Sequence, residues 1–272
     1  MARRDKDLLL KMLVWGAIGI TIAVLVFLVG YILISGVPYI RPSLFAWEHT
    51  VANQSLMPAL MGTLMIVGLA LLVSVPLGVF SAVYLVEYAR RGSRFVQIVR
   101  LTTETLAGIP SIVYGLFGFI FFGVFMGWGL SLISGSLTVS MMILPLIMRT
   151  TEESLKSVPD TYREGSFGLG AGRLRTVTRI VLPSAMPGIL AGIILAVGRI
   201  VGETAAIIFT LGNVARMPNH LFDTGRTLSA HMYQLANEGT HPGEAHATAA
   251  VLLLVVILLN ALSSGLARLI KA

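Results

Sequence analysis

Two charged residues, Arg199 and Glu203, lie within a long apolar stretch of the sequence. A guanidinium donates two parallel hydrogen bonds and suits a tetrahedral oxyanion, whereas a carboxylate accepts a hydrogen bond from an oxyanion that still carries a proton. Because residues four positions apart share one face of a helix, the two side chains are predicted to be neighbours. They form either a contact for an oxyanion or a structural ion pair. We favour the contact, because charges inside spanning helices are functional by default.

The sequence lacks the motifs of the common enzyme classes. No lysine follows a glycine, so the phosphate-binding loop of nucleotide hydrolases is absent. There is no cysteine, and no metalloprotease or serine-hydrolase motif occurs. We therefore predict no catalytic residue, no metal site and no cofactor. Three histidines, His231, His241 and His246, are predicted to be solvated residues in or beside a loop.

The composition predicts an all-α membrane protein. Hydrophobic residues make up 56% of the 272 residues and charged residues only 12%, with a mean hydropathy of +0.85. A soluble domain carries about 25% charged residues. The uncharged runs are long and do not alternate in polarity, which favours spanning helices over the strands of a barrel.

Six spans are predicted from the uncharged runs. Residues 105–148 carry no charge. One helix of that length would measure about 66 Å, far beyond a hydrocarbon core of about 30 Å, so this run is predicted to be a hairpin that turns at 126–129. The predicted spans are 12–35, 58–86, 106–125, 130–148, 188–212 and 245–267.

The distribution of basic residues predicts the topology. Most of the 20 lysines and arginines fall in four segments that alternate with the polar segments 36–57 and 213–244. The positive-inside rule then places both termini and a long polar loop, 149–187, in the cytoplasm. The net charge of +7 therefore reflects membrane topology, and no nucleic-acid partner is predicted. The basic segments are 1–11, 90–100, 149–187 and 268–272.

The loop 149–187 contains a spaced signature. Its anchors match E-A-A-x3-G-x9-I-x-L-P at Glu164, Gly170, Ile180, Leu182 and Pro183, with a glycine in place of the first alanine. This resembles the permease subunits of binding-protein-dependent ABC importers. The resemblance implies a type I ABC importer permease architecture, in which these residues form a coupling helix that docks on a separate ATPase subunit.

Further segments narrow the resemblance to phosphate permeases of the PstA type. One of them, 198–206, contains the element Arg199-x-x-Gly202-Glu203-Thr204, which the sister phosphate permease shares. The resemblance implies that Arg199, Glu203 and Thr204 line the substrate path. Sulfate carries no proton at neutral pH, so Glu203 could help to reject it. The other similar segments are 62–64, 75–88, 106–118 and 149–153.

The sequence thus predicts a permease subunit of an ATP-driven importer of inorganic phosphate in the bacterial inner membrane. The resemblance implies as partners a sister permease, ATP-binding cassette subunits, an extracytoplasmic phosphate-binding protein and membrane lipid. Three alternatives stay open: a permease for another oxyanion such as molybdate or sulfate, an ion-coupled secondary transporter, and a membrane scaffold without transport. The predicted organisation is an N-terminal segment 1–57, a permease core 58–267 and a C-terminus 268–272.

Overall fold

The computed structural model describes residues 3–90 and 92–271, and no strand forms within these two ranges. The predicted all-α class is confirmed. The helices in this part of the chain are α1 (Arg3–Gly36), α2 (Met57–Val83), α3 (Arg94–Ala107), α4 (Ser111–Gly118), α5 (Leu132–Lys156), α6 (Asp160–Gly168), α7 (Arg173–Thr176), α8 (Leu182–Gly202), α9 (Ala205–Thr210), α10 (Leu228–Glu238) and α11 (Pro242–Lys271).

Short segments of other helix types extend this framework. Three π-helical segments, Tyr84–Tyr88, Phe119–Phe125 and Val177–Val181, continue α2, α4 and α7. Two 3-10 turns, Val37–Tyr39 and Pro42–Phe45, follow α1. Helices α7 and α8 are joined through the third π segment, so they run as one rod from Arg173 to Gly202.

Within the described residues, five helical rods are long and apolar enough to cross a membrane. They correspond to five of the six predicted spans and are Leu10–Tyr39, Met57–Tyr88, Leu132–Lys156, Arg173–Gly202 and Pro242–Gly265. The remaining candidate is a bent pair, Arg94–Ala107 with Ser111–Phe125, whose parts meet at 100°.

The predicted third span, 106–125, therefore starts too early. The structure breaks the helix between Ala107 and Ser111, and Pro110 explains the break, since proline disfavours a helical conformation at the residue before it. The preceding helix, α3, exposes Phe95, Ile98 and Leu101 along one side. The predicted turn at 126–129 is confirmed, with a positive φ at both of its glycines.

The predicted loop 149–187 is mostly helical. Helix α5 continues to Lys156 and α7 begins at Arg173, so the connector between the two rods covers only 157–172 and contains α6. Polar residues extend these rods past the apolar segment, because i,i+4 pairs such as Arg149 with Glu153 support an exposed helix end.

Helix α5 lies at the centre of the bundle, between α2 and α8. Its buried side chains include Val139, Ile143 and Ile147. On α8, a methyl group added at Gly188 or Gly192 would overlap the side chains of Ser154 or Thr150, so these glycines let α5 approach closely. Such van der Waals packing holds the helices together, because lipid supplies no hydrophobic force between them.

The two ends of α5 define the two ends of the bundle. Its N-terminus lies at the turn end, where Leu132 N donates to Asp223 O at 2.9 Å and the turn 126–129 is located. Its C-terminus lies at the basic end, where Glu152 contacts Arg100 and Lys156. Helix α6 is also at the basic end, since it follows α5 by only three residues.

Candidate functional site

The fifth span is broken near its end, at the place where the predicted intramembrane charges lie. Helix α8 ends at Gly202, Glu203 has an extended backbone (φ −71°, ψ 129°), and α9 starts at Ala205. Backbone that leaves the helix at membrane depth is tolerated only where it is buried in protein or lines a water-filled cavity. In transporters, such discontinuous helices mark substrate sites.

Hydrogen bonds stabilise the break from three sides. Ser229 Oγ, on α10, donates to Glu203 O at 2.6 Å. Ala206 N donates to Glu203 Oε1 at 3.1 Å, so this carboxylate caps the first turn of α9. Ile208 N donates to Thr204 O at 3.1 Å, and Thr204 Oγ1 donates to Gly202 O at 3.4 Å.

The prediction that Arg199 and Glu203 are neighbours on one face of a helix is wrong. The i,i+4 relation requires continuous helix, and the extended backbone at Glu203 ends the helix one residue too soon. The two side chains form no ion pair, since Glu203 instead bonds to the backbone of α9. Gly202, the last residue of α8, was the sequence signal for this break, since glycine is a poor helix former.

Arg199 lines a cavity of about 260 Å³ between α3, α5 and α8. The side chain is exposed in this subunit and has no hydrogen bond or ion pair to any described residue. A methyl group added at Gly198 or Gly202, on either side of Arg199, would meet no atom within 4 Å. The face of α8 that carries these two glycines is therefore open in this subunit.

Six more charged side chains line the same cavity. Glu152 contacts both Arg100 Nη2 and Lys156 Nζ at 2.6 Å, and Arg149 Nε donates to Glu153 Oε1 at 3.1 Å. The sixth is Glu104 of α3, which sequence reasoning missed. The sequence carried no signal for it, because its place in the cavity depends on how α3 packs beside α5 and α8.

The signature of the predicted coupling segment is distributed over three elements. Glu164 is an exposed residue of α6, and Gly170 forms the turn after it with a φ of +81°, a conformation that favours glycine. Ile180 lies in the π segment, while Leu182 and Pro183 begin α8. The segment also exposes apolar side chains, among them Phe167 and Leu169, of which Leu169 is 92% exposed.

An ion pair fixes α6 to the π segment that continues α2. Arg163 Nη2 contacts Glu87 Oε1 at 2.7 Å, and the two side chains are only 14% and 7% exposed. Arg163 also donates to the backbone oxygens of Val158 (2.8 Å) and Leu155 (3.0 Å). Removing one partner of such a buried pair typically costs about 3–5 kcal/mol. Sequence reasoning missed this pair, because its members are 76 residues apart.

At the turn end, the predicted outside loop 213–244 contains a buried helix, α10. The prediction that His231 is solvated is wrong, because its side chain is fully buried. Arg226 Nη1 donates to His231 Nδ1 at 2.7 Å, and the ring of His49 lies edge-on at 5.6 Å. Burial, together with Arg226 and His49, lowers the pKa of His231 to about 3. The described residues contain no cluster that could hold a metal ion.

Comparisons with known proteins agree with this architecture. Residues 74–272 match the family described as binding-protein-dependent transport system inner membrane component. A probable ABC transporter permease protein of Bacillus subtilis, YqgI, is 33% identical over 256 residues, which cover 88% of this chain and 87% of the relative. The phosphate transport system permease protein PstA 1 of Mycobacterium tuberculosis is 44% identical over 154 residues.

The match to the mycobacterial protein covers 57% of this chain and about half, 50%, of that relative. Among solved structures, a chain of a bacterial alginate ABC transporter in complex with its periplasmic protein superposes with a TM-score of 0.73. The superposition covers 98% of this chain and 96% of that chain. At 17% identity this likeness shows the fold alone.

Proposed function

Because the chain belongs to the family of binding-protein-dependent transport system inner membrane components, we propose that it is the PstA-type permease subunit of an ATP-driven importer of inorganic phosphate. Its relatives include a protein named as a phosphate permease at 44% identity. The observation that carries the proposal is Arg199, a guanidinium without a partner among the described residues, next to a broken helix inside a spanning bundle. An arginine at such a depth is costly and is retained where it meets a substrate.

Arg199, Glu203 and Thr204 line the path in this proposal. The guanidinium donates to the phosphate oxygens, since its planar fork suits a tetrahedral oxyanion. Glu203 stabilises the helix break, because its Oε1 caps the first turn of α9. Its Oε2 accepts no hydrogen bond from a described residue. That oxygen can accept from the hydroxyl that phosphate keeps near neutral pH.

The basic end is the cytoplasmic end, and both termini lie on that side, because the basic residues concentrate there. Glu164, Gly170, Ile180, Leu182 and Pro183 belong to the segment that meets the ATPase. The exposed Phe167 and Leu169 supply apolar surface for this contact. ATP is bound and hydrolysed by that partner and not by this chain, which supplies no phosphate-binding loop.

A sister permease completes the path. The open face of α8 at Gly198 and Gly202 carries Arg199 between the two glycines. Small residues let a second helix bundle approach this face, so the path forms between two subunits. The phosphate-binding protein delivers its ligand at the turn end.

The test is transport by the complete importer in proteoliposomes. We expect binding protein, ATP and phosphate together to give uptake that excess phosphate competes and that sulfate or molybdate leaves unchanged. Arg199→Lys keeps the positive charge but removes the planar guanidinium that donates two parallel hydrogen bonds. We therefore expect uptake to fall roughly tenfold or more while the complex still assembles. Arg216→Lys, an exposed arginine of the turn end, is the matched control.

Other results would assign the chain differently. Competition of phosphate uptake by sulfate or molybdate at the permease would indicate that the importer transports another oxyanion. Uptake driven by an ion gradient without ATP would favour a secondary transporter. Wild-type uptake by assembled Arg199→Lys importer would remove Arg199 from the path.

A further inference from the structure

The cavity that Arg199 lines also continues towards the basic end. Its lining combines four cations and three carboxylates in about 260 Å³. That volume holds several water molecules, since one occupies about 30 Å³ in the liquid. A five-atom oxyanion therefore fits with part of its hydration shell. The charged lining residues are Arg100, Glu104, Arg149, Glu152, Glu153, Lys156 and Arg199.

Five of these seven charges already have partners. Glu152 is paired with Arg100 and Lys156, and Glu153 is paired with Arg149. Two charges, Arg199 and Glu104, form no hydrogen bond and no ion pair within the described residues. Both side chains are exposed, and Glu104 attracts Arg149 electrostatically without forming an ion pair with it. A guanidinium and a carboxylate that lack a direct partner in the described residues thus line the same cavity.

The carboxylate of Glu203 has a different position. It caps α9 at the helix break and does not line this cavity. The carboxylate that shares the cavity with Arg199 is Glu104. An anionic side chain next to an anion path would repel any substrate that could not donate a hydrogen bond to it.

We propose that Arg199 and Glu104 form a binding site for a protonated tetrahedral oxyanion at the cytoplasmic exit of the path, and that Glu104 makes this site selective for phosphate over sulfate. This inference rests on the proposed function. Arg199 donates to the phosphate oxygens, and Glu104 accepts from a phosphate hydroxyl. Sulfate offers no hydroxyl near neutral pH, so its contact with Glu104 is purely repulsive.

The paired charges beyond this site explain how phosphate leaves. A conducting site must bind firmly enough to admit an ion and weakly enough to release it. Because Glu152 and Glu153 partly neutralise Arg100, Lys156 and Arg149, these cations attract phosphate without trapping it. The cavity thus leads from a selective contact to a weakly attractive mouth at the basic end.

The experiment uses the complete importer in proteoliposomes whose ATP-accessible end faces the medium. The lumen holds the binding protein and radiolabelled phosphate, and release of label into the medium is measured. Unlabelled phosphate or sulfate is then added to the medium at matched ionic strength. We expect phosphate to occupy the exit site and slow release, and sulfate to have little effect.

Glu104→Gln is the informative variant, because it keeps the side-chain length and removes the charge. A site that pairs with a substrate hydroxyl loses much of its discrimination without that acceptor, so we expect the phosphate-over-sulfate ratio of inhibition to fall about tenfold or more. Glu104→Asp keeps a carboxylate and should retain most of the preference. Glu48→Gln, an exposed glutamate outside the cavity, should leave the ratio unchanged.

Assembly of each variant is checked by size-exclusion chromatography and by ATP hydrolysis that the binding protein stimulates. An assembled Glu104→Gln importer with the wild-type ratio would overturn the exit site, as would a wild-type importer that does not discriminate the two anions from the medium. A wild-type importer that transports no phosphate would overturn the proposed function and this inference with it.

Discussion

At the scale of single residues, the charges inside the bundle divide into those that stabilise the fold and those that stay available. Glu203 caps α9 through Oε1, whereas Arg199 has no partner in the described part of the chain. Glu203 therefore stabilises the fold, whereas Arg199 stays available for a ligand, although the two residues are only four positions apart in the sequence. A double change that removes both charges would test two functions at once.

His231 shows how a buried titratable residue links stability to pH. Its pKa in the folded chain is about 3, below the ordinary 6.5, so the unfolded chain binds a proton first as the pH falls. The contribution of His231 is complete above about pH 6.5. It decreases by up to about 1.4 kcal/mol per pH unit between pH 6.5 and 3.

We expect His231→Asn to flatten this part of the stability profile. Asparagine does not titrate, and its oxygen can still accept from Arg226, so the variant should lose less stability between pH 7 and pH 5 than the wild type. Thermal unfolding of the purified complex across this range measures the effect. His220→Asn, at an exposed histidine, is the control, and equal slopes for His231→Asn and the wild type would contradict the prediction.

At the scale of elements, the segment proposed to couple to the ATPase joins an anchored helix, α6, to an exposed surface. The Arg163–Glu87 ion pair fixes α6 to α2, and Ser166 Oγ lies 2.8 Å from Thr176 Oγ1 of α7. Movement of α6 must therefore move two spanning rods together. This connection suits a segment that transmits the motion of an ATPase to a substrate path.

Two glycines of this segment give a matched pair of variants. Gly170 has a φ of +81°, so Gly170→Ala should destabilise the turn by about 1–2 kcal/mol. Gly165 lies inside α6 with no atom within 4 Å of an added methyl group, so Gly165→Ala should stabilise the helix by up to about 1 kcal/mol.

The measurement is retention of the ATPase on the purified permease pair, together with transport-linked ATP hydrolysis. We expect Gly170→Ala to weaken both and Gly165→Ala to preserve both, with normal membrane levels of each variant. The reverse order of effects would show that the turn at Gly170 does not determine the docked shape of α6.

At the scale of the whole molecule, the chain is a helical bundle with an unequal distribution of charge at its ends. The fold is that of an ABC importer permease, as predicted, and the protein crosses the membrane several times. The face of α8 at Gly198 and Gly202 is open in the isolated subunit, which is consistent with the proposed packing of a sister permease there.

Single cysteines test the orientation directly, because the chain has none of its own. A membrane-impermeant thiol reagent added outside intact cells should label His220→Cys and Thr240→Cys, at the turn end. It should leave Thr161→Cys, on α6, unlabelled until the cells are opened. All three positions are exposed, so differences in labelling report the side of the membrane. Labelling of Thr161→Cys in sealed cells would invert the topology and exclude the coupling role of α6.

The sequence by itself determined the features that depend on local pattern. In lipid, every backbone hydrogen bond of a span must be made within its own helix. Apolar length therefore predicts a span without knowledge of its neighbours, and five spans and the turn at 126–129 were found in this way. The spaced signature from Glu164 to Pro183 also lies within one continuous segment, which made it visible as a resemblance.

Only the tertiary structure decided which side chains meet. The break at Glu203 depends on Ser229, 26 residues away, which bonds to the released carbonyl. The shared cavity of Arg199 and Glu104 and the burial of His231 depend on how separate helices are rotated and packed. Hydropathy carries no information on these rotations, since lipid-facing and bundle-facing residues are equally apolar. For that reason the sequence predicted the spans of this protein, whereas the partners of its charges required the fold.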